Sequence, residues 1–284
     1  MALDMSHLQQ WVGKSEVLVE RLAAFPSMAL AATLDRAVTQ FPDGAVLPAL
    51  WHWLHFLPIT AMAQTGTDGH PLRGGFLPPV PLPRRMWAGG RLQFHHPLRI
   101  GETVERHSRV LRVDYKPGRS GDLVFVQVGH ELHSSLGIAV REEHDIVYRQ
   151  AATSTDLVPA VTMAPLTSRW ERPFKLGAVE LFRYSALTFN SHRIHYDRSY
   201  ACNVEHYPGL VVHGPLIATL LMELLASSCA HRTVGSFSFR ALKPLFDGQA
   251  FSVCGTLEGD GSTASLWTRD DEGAMTMQAT ATLG

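Results

Sequence analysis

The chain is poor in cysteine and in charge. Its three thiols, Cys202, Cys229 and Cys254, are odd in number, widely spaced and free of any paired-thiol motif. That excludes a disulfide framework and fits a reducing, cytoplasmic compartment. Charged side chains make up only 18% of the 284 residues, and 25 basic against 26 acidic groups leave a formal charge of -1. With no basic surplus to neutralise phosphates, a nucleic-acid partner is not expected. Nor is a membrane span: no run of roughly 18 uncharged apolar residues occurs. The longest candidate, Leu210 to Ala230, is interrupted by His213, Pro215 and Glu223 and reads as a buried helix. Residues Met1 to His7 lack the basic-then-apolar layout of a secretory signal. No glycine-rich nucleotide fingerprint is present, so no nicotinamide, flavin or other cofactor is expected.

What is there suffices for a large core, with 45% apolar residues and, at about 150 residues per domain, room for two units. Fifteen histidines are the compositional oddity, and a surplus of groups titrating near neutrality points toward acid-base or metal chemistry. From Leu8 to about Gln64 the apolar spacing reads as mainly helical, through Val17, Leu18 and Leu22 and again through Leu50, Trp53, Leu54 and Leu57. Residues 66–90 carry eleven glycines and prolines, which suggests an ordered loop serving as a lid. Strand-like alternations follow at 91–94, 103–114, 122–132 and 138–148, and a small, polar, proline-punctuated stretch at 151–165 reads as a linker. The second half offers strands at 170–175 and 180–182, a central helix from Pro215 to about Cys229, and strands at 235–242, 249–258, 264–268 and 274–283. Pro97-Leu98-Arg99-Ile100-Gly101 and Pro244-Leu245-Phe246-Asp247-Gly248 share one pattern at a spacing of 147 residues, close to half the chain. Two copies of one helix-plus-sheet unit are therefore expected, in an α+β chain divided as 1–150, a linker at 151–165, and 166–284.

The densest polar segment runs from Tyr184 to Asp197 and includes Asn190, His192, Arg193 and His195; after a spacer, His213-Gly214-Pro215 opens the central helix. His195 is suited to moving protons in both directions near neutrality. Asn190 cannot ionise, so its amide can only hold a water or orient an imidazole. The helix mouth offers unpaired N-H groups and the positive end of a dipole to an oxyanion. Pro215 has no N-H, which narrows the donor to Gly214 or Leu216. Each assignment has a plainer counterpart. His213 can merely brace the helix, and Asp197 can orient His195, pair with Arg193 or close a turn. His52 and His55 read as part of an amphipathic helix. Leu216, Ile217, Leu220, Leu221, Leu224 and Leu225 read as core. His192, His195 and Asp197 lack a completing ligand, so no metal is expected. Arg84 and Arg85 suit a substrate carboxylate or coenzyme A phosphates, or a solvated pair.

With Asn190, His195 and His213-Gly214 at these spacings, the second half resembles the MaoC-like hot-dog hydratases and dehydratases, whose hallmark is an Asp, then a His five positions later, ahead of a His-Gly. Asn190 stands where that family keeps its acid. Phe189-Asn190-x-His192-Arg193-Ile194-His195-Tyr196-Asp197 resembles the double hot-dog branch that includes mesaconyl-CoA and itaconyl-CoA hydratases and mitochondrial-type 3-hydroxyacyl-thioester dehydratases. In the first half, Trp51-His52-Trp53-Leu54, Asp68 to Pro79, Arg84 to Gly90 and Arg119-Ser120-Gly121 are similar to that branch too.

The resemblance implies a double hot-dog fold, two antiparallel sheets each wrapped around a central helix, acting on an acyl-CoA thioester. It implies a hydro-lyase on a C5 dicarboxylic substrate such as mesaconyl-, itaconyl- or citramalyl-CoA, with coenzyme A entering only as part of the substrate. His195 would be the single acid-base group, Asn190 the water holder and Gly214 the oxyanion donor. Arg84, Arg85, Arg193, His213 and Leu216 would line the substrate. One active site per chain is expected, the first half supplying pocket walls and lid, with a homodimer as a further expectation. Three readings stay open: a 3-hydroxyacyl carrier-protein dehydratase, a thioesterase, which Asn190 disfavours, and a non-catalytic acyl-thioester-binding module.

Overall fold

The computed structural model describes residues 3–37, 40–118, 121–151, 161–259 and 261–284. The first half runs through α1 (Met5–Leu8), β1 (Ser15–Arg21), α2 (Ala24–Thr33), a long irregular stretch, then β2 (Arg84–Phe94), β3 (Thr103–Gly118), β4 (Gly121–Ser134) and β5 (Gly137–Arg149). The second runs through β6 (Trp170–Lys175), α3 (Ala178–Leu187), α4 (Arg198–Asn203), α5 (Gly214–Ser228), β7 (Val234–Ala241), β8 (Ala250–Leu257), β9 (Thr263–Asp270) and β10 (Met275–Leu283).

All ten strands pair antiparallel in one sheet, ordered β1-β3-β4-β5-β2-β7-β10-β9-β8-β6. Counted within each half, both read first, third, fourth, fifth, second. The double hot dog is thus built with its two five-stranded halves zipped edge to edge through β2 and β7. The repeated Pro-Leu-x-x-Gly occupies the same place in each half, between the second and third strands. Its glycines take left-handed backbone, φ 86° at Gly101 and 78° at Gly248. Gly101 N-H donates to the Leu22 carbonyl at 2.7 Å and Gly248 N-H to the Leu176 carbonyl at 2.8 Å, tying each connection back to the end of its half's first strand.

The copies differ in their helices. In the second half, Pro215 sits in the first turn of α5, whose Leu216, Ile217, Leu220, Leu221, Leu224 and Leu225 are all buried in the main core, as expected. The equivalent place in the first half, after Leu47, holds only a 3-10 turn at Trp51–Leu54, between left-handed residues Leu50 (φ 70°) and Phe56 (φ 54°). The helical reading of 8–64 is therefore corrected. Ser15–Arg21 is an edge strand on β3, in keeping with β-branched Val17 and Val19 two residues apart. His52 and His55 are buried rather than on an amphipathic helix: His52 bonds Glu142 at 2.7 Å and His55 bonds Glu20 at 2.7 Å.

Two further boundaries change. Residues 180–182 lie in α3, where Leu181, Tyr184 and Ser185 bury one face and the Glu180 carboxylate accepts from the Gly177 N-H at 2.8 Å. The loop expected at 66–90 ends at Pro83. Gly89 and Gly90 are strand residues at the seam, where a Cβ on Gly89 would stand 2.6 Å from the Phe239 carbonyl oxygen; close backbone approach, not a turn, requires glycine there. Residues 152–160 of the expected linker, and Arg119 and Ser120 of the sequence motif, lie outside the described residues. The described end of that linker is pinned: Met163 bridges Ala274, and Ala164 packs on Cys254 and Trp267.

Candidate active site

α3 ends at Leu187, and Phe189, at φ 48°, turns the chain so that the Asn190 N-H reaches the Ser185 carbonyl at 2.8 Å. The Asn190 side-chain oxygen accepts from the His192 N-H at 3.0 Å, setting up the 3-10 turn Arg193–His195. That turn is held against the segment entering α5: Val211 N-H donates to the Ile194 carbonyl at 2.9 Å, and His195 Nδ1 donates to the Val211 carbonyl at 2.7 Å. A carbonyl only accepts, so the proton sits on Nδ1 and His195 presents a bare Nε2. The His195 ring lies face to face with that of His213, centroids 3.7 Å apart and planes 17° apart, at the mouth of α5. His213 in turn bonds Ser185 Oγ at 2.9 Å and caps nothing with its side chain.

The helix mouth is open to a ligand. The first intrahelical bond runs from Ile217 N-H to the His213 carbonyl, leaving the Gly214 and Leu216 amides ahead of it. A Cβ on Gly214 would meet only the Trp87 carbonyl, at 3.9 Å, so β2 of the first half passes over the entrance of α5. Trp87 also packs edge-on against Trp53 and Phe239, at 5.0 and 5.7 Å, giving the site an aromatic wall drawn from both halves. Behind it, buried Glu142 accepts from Trp53 Nε1 at 2.8 Å and bonds His52 and His144. Burial alone would raise this carboxyl's pKa, but His144 and His52 outweigh it and hold it well below the ordinary range.

Sequence reasoning missed a second contribution from the first half. The short hairpin around Asp68 docks backbone to backbone on the segment after Asn190: Arg193 N-H donates to the Asp68 carbonyl at 2.9 Å and Ser191 Oγ to the Gly69 carbonyl. Gly69, at φ 89°, lies so close that a Cβ would stand 1.8 Å from the Ser191 carbonyl oxygen. Docking brings the His70 ring to 4.0 Å from that of His192, which lies 5.5 Å from His195. Four imidazoles, His70, His192, His195 and His213, thus form a row across the joint between the halves. Asp68 bonds His70 twice, Oδ1 accepting from its backbone N-H at 2.9 Å and Oδ2 from Nδ1 at 3.2 Å. The signal was in the sequence: a carboxylate two residues before a histidine can close this kind of turn.

Burial governs the row's electrostatics. It pushes His195 down to about 4, with the Val211 bond opposing and His70 adding to the depression. Burial likewise takes His70 down to about 4, against the Asp68 bond and helped by Arg85 and Arg73. His192 and His213 are held far below the usual imidazole range, by burial first and then by their neighbours. All four are neutral at pH 7, so each is a base and none a ready acid.

The remaining sequence candidates separate. Arg84 is closed off, its Nε 2.7 Å from the Glu205 carboxylate and its guanidinium over Tyr207. The Arg85 side chain has no hydrogen bond or ion pair among the described residues, and its charge is felt at His70 and His192. Arg193 is spent on structure: Nε and Nη2 bond Asp197 at 3.0 and 2.7 Å, and Nη1 bonds the Thr67 carbonyl at 3.0 Å. Asp197 serves Arg193 and caps α4 through the Tyr200 N-H at 3.0 Å, and does not bond His195. The Leu216 side chain is fully buried in the core. Among the described residues the donor atoms that come together, within 4.8 Å of one another, are those of Asp68, His70 and His192 rather than His192, His195 and Asp197. Among the described residues no helix is long and apolar enough to cross a membrane.

Comparison with known proteins agrees with this fold. The family model described as hydroxyacyl-thioester dehydratase type 2 matches residues 50–247. A mesaconyl-C(4)-CoA hydratase of Chloroflexus aurantiacus is 44% identical over 274 residues, covering 96% of this chain and 97% of that one. A mitochondrial hydroxyacyl-thioester dehydratase type 2 of Schizosaccharomyces pombe is 25% identical over 260 residues, covering 83% and 82%. Among solved structures, a MaoC-like dehydratase from Phytophthora capsici shares the fold with a TM-score of 0.70 at 14% identity, over 99% of both chains. HtdX of Mycobacterium tuberculosis gives 0.66 at 16% identity, over 94% of this chain and 98% of that one.

Proposed function

The chain belongs to the hydroxyacyl-thioester dehydratase type 2 family, and from that premise we propose that it is a hydro-lyase adding water reversibly to a C5 dicarboxylic enoyl-CoA. Mesaconyl-CoA is the first candidate, with itaconyl-CoA beside it and citramalyl-CoA, the hydrated form, as the substrate in the dehydration direction. The observation that carries the reading is His195: the Val211 carbonyl takes its Nδ1 proton and leaves Nε2 bare, while its ring stacks on that of His213, the residue before Gly214 at the start of α5.

Water attacks the β-carbon while His195 Nε2 takes one of its protons; the π pair moves toward the thioester oxygen, which the Gly214 N-H stabilises at the positive end of α5. His195 then returns that proton to the α-carbon. The reaction is redox-neutral, so coenzyme A enters as part of the substrate and the scheme uses no other cofactor. In mesaconyl-CoA thioesterified at C4, the second carboxylate sits on the carbon that water attacks. It must therefore lie beside the histidine row, where Arg85 is a cation whose side chain bonds no group among the described residues. Arg84 supports Tyr207 and Glu205 instead.

The test is a panel of mono- and dicarboxylic enoyl-CoA thioesters followed at the enoyl absorbance. His195→Ala should lower kcat by roughly 10²- to 10⁴-fold with substrate still bound. Arg85→Ala should cost roughly tenfold to a hundredfold in kcat/KM on dicarboxylic substrates and little on crotonyl-CoA, as for one charged hydrogen bond. No turnover on any thioester by the wild type would leave only a binding role, and release of free thiol would point to hydrolysis.

A further inference from the structure

We propose that Asp68 and His70, carried by the first half, form the second part of the hydration site, His70 holding the attacking water and Asp68 positioning His70. The inference rests on the hydratase reading and deepens it. Its starting point is a difficulty with Asn190: the side-chain oxygen that would receive a water already accepts from the His192 N-H at 3.0 Å. With one lone pair committed to its own turn and an Nδ2 that only donates, Asn190 offers a water hydrogen a single remaining acceptor site.

His70 has the missing property. Its Nδ1 lies 3.2 Å from a carboxylate oxygen, which only accepts, so the proton is on Nδ1 and Nε2 is a bare acceptor, the state in which Val211 holds His195. Two imidazoles of the same tautomer thus reach one site, one from each half, with the His192 ring 4.0 Å from the first and 5.5 Å from the second. The docking is built to last. The Gly69 backbone lies against Ser191 with no room for a Cβ, and Arg193 ties the hairpin through the Thr67 and Asp68 carbonyls.

The atoms balance with this division. One hydrogen of the water points to His195 Nε2, is removed as the oxygen-carbon bond forms, and is delivered to the α-carbon. The other stays on oxygen, held by His70 Nε2 throughout, and becomes the product hydroxyl hydrogen. In dehydration His70 holds the departing hydroxyl in the same way. The carboxylate that the MaoC-like hallmark places at position 190 is thus supplied across the joint, through an imidazole.

The test compares His70→Gln, which keeps an acceptor oxygen near the Nε2 position, with His70→Leu, which keeps bulk alone. Hydration of the best thioester of the panel is measured, with circular dichroism to confirm folding. His70→Leu should lose about 10²-fold or more in kcat with KM within about threefold, while His70→Gln recovers at least about tenfold of that loss. Asp68→Asn should fall between them, with Asp68→Glu partly restoring activity. A bracing role alone would move KM, stability and both His70 variants together, and that pattern overturns the proposal. So does full activity in Asp68→Asn and His70→Leu while His195→Ala is dead, which leaves the hydratase reading intact. Loss of wild-type activity on chelation, restored by Zn2+, would assign Asp68, His70 and His192 to a metal and also overturn it. No wild-type turnover on the panel sinks the hydratase reading and this inference together.

Discussion

The rings of His195 and His213 lie nearly parallel with centroids 3.7 Å apart, both buried and each fixed by a single hydrogen bond, to the Val211 carbonyl and to Ser185 Oγ. A proton on either ring would sit against its neighbour with no carboxylate bonded to either. Burial, before any neighbour, keeps both rings neutral, and the stack fixes the plane of the His195 ring at the mouth of α5.

The first consequence is in pH dependence. In the unfolded chain histidines titrate near their ordinary value of about 6.5, whereas in the fold burial takes His195 and His70 to about 4 and His192 and His213 lower still. Between those values the unfolded state binds more protons, so stability is full above about 6.5 and declines as pH falls toward 4. Urea unfolding at pH 7.5, 6 and 5 should show the midpoint dropping at each step. The kcat/KM profile should have no acid limb near 6.5, its base remaining unprotonated until about 4. A midpoint unchanged from pH 7.5 to 5 contradicts this account.

Gly69→Ala is the sharpest test of the joint between the halves. The added carbon would stand 1.8 Å from the Ser191 carbonyl oxygen, on backbone at φ 89° that alanine adopts at a cost of about 1–3 kcal/mol. The hairpin must lift, carrying Asp68 and His70 away from His192. Most activity should be lost while the main core, which contains no hairpin residue, keeps its circular dichroism. Wild-type kcat/KM in this variant would mean that the docking does not matter for turnover.

Much of this was legible because period-two alternation survives wherever one strand face is buried, so strands β3 to β5 and β7 to β10 fell within a few residues of where the sequence put them. α5 was legible from its apolar run and Pro215. The edge strand β1 and helix α3 were misread because each is short and half exposed, and tertiary contacts decide such segments. Gly89 and Gly90 misled because glycine marks both turns and close strand approach, and only the packing against Phe239 distinguishes them. His195 and Gly214 were expected because the residues that carry the family resemblance lie along one stretch of chain. His70 was not, because more than a hundred residues separate it from His192 and only the fold closes that distance.

Asn190→Asp tests what the amide is for. A carboxylate oxygen can accept the same bond from the His192 N-H, so the turn should persist. The new negative charge favours protonated imidazole nearby and should move the acid limb of kcat/KM up from about 4 by roughly a unit or more. Asn190→Ala, lacking the acceptor, should instead loosen the 3-10 turn that carries His195 and lower kcat without that shift. An acid limb at the same pH in wild type and Asn190→Asp would show that position 190 is electrostatically remote from the base.

Glu142 sets the last prediction, because it places a charge under the aromatic wall. It is buried, accepts from Trp53 Nε1 at 2.8 Å and bonds both His52 and His144, and Trp53 packs 5.0 Å from Trp87, whose carbonyl faces Gly214. In Glu142→Gln the charge disappears and an amide NH2 meets groups arranged as donors. Removing one partner of a buried, hydrogen-bonded charge in this way typically costs about 3–5 kcal/mol. Denaturant unfolding should show a loss of that order, and KM should rise more than kcat falls, since the wall moves while His195 stays on Val211. Glu142→Leu, which cannot bond Trp53 at all, should raise KM at least as much even if its added apolar burial recovers stability. A Gln variant as stable as wild type would mean that the buried charge contributes nothing to holding the wall.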